Sequence, residues 1–109
     1  MRNRMLAAAL LIVGVFVLCG CQPKAAGHVY RVEIKGMAFA PPELTVSPGD
    51  TVTWVNHDIV PHTVTADARQ FDSGAISPSG EWSFVARERG RIPYTCTFHP
   101  VMKAVLIVK

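Results

Sequence analysis

The sequence is short of the features on which most enzymes and nucleic-acid binders depend. Cysteine is scarce, with only Cys19, Cys21 and Cys96 among 109 residues. The first two lie at the end of an N-terminal apolar segment, so Cys96 alone is left for the remainder, and no disulfide can form within it. An excess of one charge is missing too. Arg2 and Arg4 sit in the N-terminal segment, and without them the 11 basic residues become 9 against 8 acidic ones. Arg87, Arg89 and Arg91 are interrupted by Glu88 beside Gly90, which reads as a solvated loop, and no basic patch for nucleic acid survives. Asp58, Asp67 and Asp72 are scattered among turns without the spacing of a carboxylate pair. Ser73-Gly74 lacks the context of a nucleophile elbow. No catalytic constellation emerges, and the reading is of a protein that is not an enzyme.

Long apolar runs are limited to one. Leu6 to Leu18 is 13 uncharged, mostly apolar residues behind a positive start at Arg2 and Arg4. As a helix it spans about 20 Å, short of a hydrocarbon core of about 30 Å. Residues 1–20 therefore read as a signal peptide. It ends in Leu18-Cys19-Gly20-Cys21, which resembles a bacterial lipobox with Cys21 as the lipidated first residue of the mature chain. The competing reading is an ordinary signal peptide cut near Gly20. Residues 21–27 form a short linker reaching at most about 20–25 Å. The domain is expected at 28–109, exported to the periplasm or another extracytoplasmic membrane face and held close to it by the lipid.

From His28 onward the helical period of 3.6 is absent and a period of two is present. Tyr30, Val32 and Ile34 alternate with Arg31, Glu33 and Lys35. Leu44 and Val46 repeat the alternation before Ser47-Pro48-Gly49-Asp50, which has Pro and Gly where a type II turn requires them. Val52 and Trp54 share a face of the next strand. More strands are expected at Pro61 to Thr65, Glu81 to Val85 with Trp82 and Phe84 inward, Arg91 to Thr95 and Lys103 to Val108. Short strands divided by Pro/Gly turns predict an all-β fold, one small β-sandwich. His57 and His28 read as solvated or strand-edge residues.

One stretch combines soft and borderline metal ligands. Cys96-Thr97-Phe98-His99-Pro100-Val101-Met102 sets a thiolate, an imidazole and a thioether three residues apart, on an expected inter-strand loop. His62, 34 positions upstream in Val60-Pro61-His62-Thr63-Val64, is the candidate to close the site from a second segment. Singly, Cys96, His62, His99 and Met102 each read as ordinary packing or surface residues. Jointly, two imidazoles, one thiolate and a weak axial thioether are the His₂Cys set with a long Met contact that defines a blue-copper electron-transfer centre. A lone thiol in an oxidising compartment also needs a reason, and ligation supplies one. A single Cys excludes a dinuclear copper site. Ligand softness leaves zinc and Cu(I) open.

These residues resemble the cupredoxins, and are most similar to amicyanin- and plastocyanin-like members, over Val29 to Lys109. The resemblance implies a Greek-key sandwich holding one type 1 copper ion, with His62, Cys96 and His99 equatorial and Met102 axial. It implies a monomeric one-electron carrier exchanging electrons with a redox protein donor and acceptor; the lipobox and the short linker make that carrier membrane-anchored and place its partners at the membrane as well. Family members usually carry Asn after the first ligand His, tying the two ligand loops together. Here that residue is Thr63, with Thr97 opposite and able to hydrogen-bond across. The ring of His99 is expected nearest solvent, inside an apolar rim of Val60, Pro61, Phe98, Pro100 and Val101, where a partner would dock. Met37 and Phe39 are expected near the copper end. The rival function is copper trafficking or storage, which uses similar ligands but releases the ion.

Overall fold

The computed structural model describes residues 12–16, 20 and 27–109. Cys21, the expected lipidation site, and residues 22–26 of the linker lie outside the described residues. Eight strands follow in order: β1 (Val29–Ile34), β2 (Phe39–Ala40), β3 (Glu43–Val46), β4 (Thr51–Asn56), β5 (Thr65–Ala66), β6 (Glu81–Val85), β7 (Gly90–Cys96) and β8 (His99–Val108). They form two four-stranded sheets, ordered β2-β1-β4-β6 and β3-β8-β7-β5. The pairs β1–β4 and β3–β8 are parallel and the others antiparallel. The chain is an all-β sandwich, as its alternation predicts.

The core lies between the inward faces of the two sheets. Trp54 on β4 and Tyr94 on β7 meet across it edge to face, and Trp54 Nε1–H donates to Tyr94 Oη at 3.2 Å. Burial pushes the Tyr94 phenol up to about 12, so it stays a neutral acceptor. Phe71, Phe39, Trp82 and Phe84 extend this aromatic cluster. Trp82 and Phe84 are only half-buried, because β6 is an edge strand. The predicted type II turn has Gly49 at φ +94°, the value that position demands.

Asp50 closes this turn. Its carboxylate accepts the Ser47 N–H at 2.8 Å and the His28 N–H at 2.9 Å, joining the start of β1 to the start of β4. These bonds, Ser47 first, hold its carboxyl below the usual carboxylate range although burial acts the other way.

Three expectations need correction. Pro61 to Thr65 is not a strand. Pro61 has no N–H to give a ladder, and His62 instead makes an isolated two-bond bridge with Ile76, leaving only Thr65–Ala66 as β5. The ligand loop is shorter than expected, because β8 begins at His99 and only Thr97 and Phe98 separate it from β7. His57 is not merely solvated, since its Nε2 pairs with the Glu33 carboxylate.

Candidate metal centre

The centre sits at the end of the sandwich where β4 leaves its sheet and β7 turns into β8. The register explains how β7 and β8 deliver donors. Thr95 pairs with Lys103 and Cys96 with His99, so one step on β7 matches four on β8. Pro100, Val101 and Met102 are the surplus, and a bulge of this kind re-aims side chains beside a functional site. Below it β8 keeps strict alternation, and Met102 falls on the same buried face as Ala104, Leu106 and Val108.

His62 arrives on an irregular loop that is nonetheless tightly held. Asn56, completely buried at the end of β4, donates through Nδ2 to the carbonyls of Val60 (2.9 Å) and Ile76 (3.0 Å) and accepts the Asp58 N–H at 2.9 Å. The backbone of His62 is fixed by its bridge to Ile76. Its ring nitrogen Nε2 lies 2.8 Å from Asp58 Oδ2. The Asp58 carboxylate also accepts the N–H groups of Gly36 (2.7 Å) and Met37 (3.0 Å) from the β1–β2 turn. Burial pushes the Asp58 carboxyl up, but these donors outweigh it and leave the group below the usual carboxylate range.

His62 Nδ1 and His99 Nδ1 each lie 3.7 Å from Cys96 Sγ, and the donor atoms of His62, Cys96 and His99 all fall within 4.8 Å of one another. The donor set fits a borderline-soft ion. Metal–nitrogen and metal–sulfur bonds of about 2.0 and 2.3 Å in a trigonal plane separate N from S by about 3.7 Å. His62 and Cys96 are fully buried and Met102 is 2% exposed, whereas His99 is only half-buried. One imidazole therefore forms the edge of the site toward solvent.

Thr63 stands where the resemblance puts Asn, and it spans the two ligand segments. Its N–H points at Cys96 Sγ at 3.3 Å, and its Oγ1 accepts the Thr97 N–H at 2.8 Å and lies 3.0 Å from Thr97 Oγ1. Phe98 is 52% and Val101 88% exposed, and Val60, Pro61 and Pro100 are exposed with them. Phe98 thus faces outward rather than packing under the loop. Ile59, 93% exposed, and Met37 add to the exposed apolar residues of this end. Phe39 is buried against Tyr94 instead.

The sequence reading missed Asp58, Asn56 and Ile59. The signal for Asp58 was its position four residues before a ligand histidine, which puts a carboxylate within reach of that ring in a tight loop. Asn56 gave none, because an amide that satisfies backbone carbonyls of two other segments is visible only once they are placed.

A family model described as a cupredoxin-like domain matches residues 7–108. Amicyanin of Paracoccus denitrificans is 35% identical over 83 residues, 72% of this chain and 63% of that protein. The matched stretch thus spans under two thirds of the relative's length. Plastocyanin of Nostoc punctiforme is 42% identical over 62 residues, 53% of this chain and 43% of that protein. Among solved structures, the Cu(I) form of an amicyanin point mutant superposes with a TM-score of 0.71 at 32% identity, covering 79% of this chain and 87% of that one. A purple cupredoxin from Nitrosopumilus maritimus gives 0.68 at 26%, covering 73% and 99%.

Proposed function

Since the chain belongs to the cupredoxin-like family, we propose that it is a one-electron carrier whose His62, Cys96, His99 and Met102 hold a single type 1 copper ion. Copper supplies a couple between two oxidation states one electron apart. The observation that carries the reading is the convergence of two imidazole nitrogens and a thiolate sulfur within 4.8 Å, in a pocket that only one of the three side chains opens to solvent.

The chain's own residues do the rest. Cys96 ends a paired strand and His99 begins one, so neither ligand backbone is free to drift. His62 is held by Ile76 and Asp58, and Thr63 ties its loop to Thr97. Donors fixed in this way give both oxidation states nearly the same surroundings, which keeps reorganisation small. The Thr63 N–H directed at Cys96 Sγ moderates the charge on the sulfur, one of the factors that tunes such centres. Met102 is buried on β8 three residues past His99, and as the fourth ligand it would keep no position for a substrate, unlike a catalytic metal site. The exposed apolar residues around His99 suit a brief encounter with a redox protein, of the kind that buries less than about 1,200 Å².

Anchoring belongs to the proposal as well. Its support is the sequence Leu18-Cys19-Gly20-Cys21, with acylation of Cys21 holding the domain at an extracytoplasmic membrane face next to membrane-associated donor and acceptor proteins. Recovery of the mature protein in the soluble fraction with an unmodified N-terminus would remove this part.

The deciding experiment is optical. The oxidised protein loaded with one equivalent of copper should show an intense visible band, and Cys96→Ser should lose it while keeping the far-ultraviolet signature of a β fold. A wild type that binds no copper, or a Cys96→Ser protein that keeps its colour, sinks the reading. Copper trafficking predicts instead rapid loss of the ion to a chelator. The complete burial of His62 and Cys96 predicts slow loss.

A further inference from the structure

The strongest unassigned feature is the Asp58 carboxylate, which gathers three donors from two segments. Gly36 and Met37, both with left-handed φ (62° and 59°), form the turn between β1 and β2 and direct consecutive N–H groups at it. The third donor is the ring of His62. An ionised carboxylate only accepts hydrogen bonds, so the 2.8 Å contact places a hydrogen on His62 Nε2. The Nδ1 lone pair is then left facing Cys96 Sγ, 3.7 Å away.

We propose that Asp58 is a positioning residue of the copper centre: it fixes the tautomer and ring plane of His62, refers that ring to the β1–β2 turn, and lowers the reduction potential as a negative charge one imidazole away from the ion. The inference rests on the copper reading above for its last part, and on geometry alone for the first two. A carboxylate behind a ligand histidine raises the basicity of that ligand. It favours Cu(II), which carries one more positive charge than Cu(I), over the reduced ion. Met37 belongs to the same turn, holding a positive φ that a non-glycine residue rarely adopts. Glu33, a carboxylate near the end of β1, is paired instead with His57 and Arg31.

The experiment has a metal-free arm and a copper arm. In the first, nitrogen-15 NMR of metal-free wild type at about pH 8, above the ordinary imidazole range, should find His62 as the Nε2–H tautomer, and Asp58→Asn should lose that preference. In the second, Asp58→Asn loaded with copper should keep its visible band. It should bind Cu(II) about 10–100-fold more weakly and raise the potential by about 59 mV, a tenfold change in relative binding of the two oxidation states. Glu33→Gln, which removes an equal charge without touching a ligand, should leave the potential where it was. An Nδ1–H tautomer in the wild type overturns the inference whether or not the variant folds. So does an Asp58→Asn protein with the wild-type tautomer and potential, or a Glu33→Gln protein that shifts the potential as far as Asp58→Asn does. A wild type that takes up no copper ends the copper reading instead, and the tautomer then decides the role of Asp58 by itself.

Discussion

Asp50 and Asp58 occupy equivalent places at opposite ends of one structural unit. β1 and β4 run parallel with an offset of 22 residues, from Val29 opposite Thr51 to Ile34 opposite Asn56. Asp50 immediately precedes this ladder on the β4 side and takes the N–H of His28, 22 positions earlier. Asp58 follows it and takes the N–H of Gly36, again 22 earlier. Each also accepts a second backbone N–H, from Ser47 and Met37 respectively. The two carboxylates solve the same problem, since backbone donors leaving a parallel pair have no ladder partner and must be satisfied some other way. Asp58 in addition makes a hydrogen bond with a histidine ring, that of His62. The difference teaches that the metal end is built from the sandwich's ordinary means of closing a sheet, with one ligand added.

The largest expected contrast is between the two ligand histidines at that end. His62→Gly opens a sealed cavity behind a carboxylate, and the visible band should be lost and not restored by added imidazole. His99→Gly opens toward solvent, so free imidazole should enter and restore the band. Equal rescue of both variants would remove the distinction between a buried and an exposed ligand.

Next comes the surface. Val101→Glu, placed on a side chain that is 88% exposed and near His99 in sequence, should slow electron exchange with a partner by about tenfold, the low end of the spread among mutants of one interface. The absorption spectrum should not change. Stopped-flow rates that match the wild type would put the exit elsewhere.

A smaller effect is expected for Thr63→Val, which leaves the Thr97 N–H without its acceptor. Thr97 is exposed and its N–H can turn to water, so the cost is that of one ordinary hydrogen bond, about 0.5–1.5 kcal/mol, and urea unfolding should register a loss in that range.

The smallest effect belongs to the far end. The folded carboxyl of Asp50 titrates below its unfolded value, so the stability it adds is present above about pH 4 and is lost as pH falls through the folded value. Asp50→Asn should therefore lower the melting temperature at pH 7, lose that deficit toward pH 2, and leave the visible spectrum untouched. A spectral change in this variant would mean that the two ends are coupled.

Much of this molecule was legible in the sequence because its signals are local. Val29–Ile34, Glu43–Val46 and Glu81–Val85 alternate with period two, and Pro48-Gly49 marks the turn between two of the strands. The ligands were legible because Cys96, His99 and Met102 keep a fixed spacing. What escaped is what depends on contact between distant segments. The Thr63–Thr97 tether was open to the eye only as a possibility of two hydroxyls. The clamp at Asp58 needs the register of β1 against β4 before its partners exist, and the start of β8 at His99 depends on pairing with Cys96 rather than on any propensity of Pro100.

The parallel pairing of β3 with β8 bears on when the site can come into being. Glu43 pairs with Val105, 62 residues later, so β3 has no partner in the second sheet until β8 has been made. His62 emerges 34 residues ahead of Cys96, a wait of about 2–7 s at synthesis rates of 5–20 residues per second. During that interval the nascent chain offers an imidazole but neither the thiolate nor the second ring. Contacts of such long range also make folding slow. Assembly of the donor set is thus a late event, which waits for the end of β7 and the start of β8.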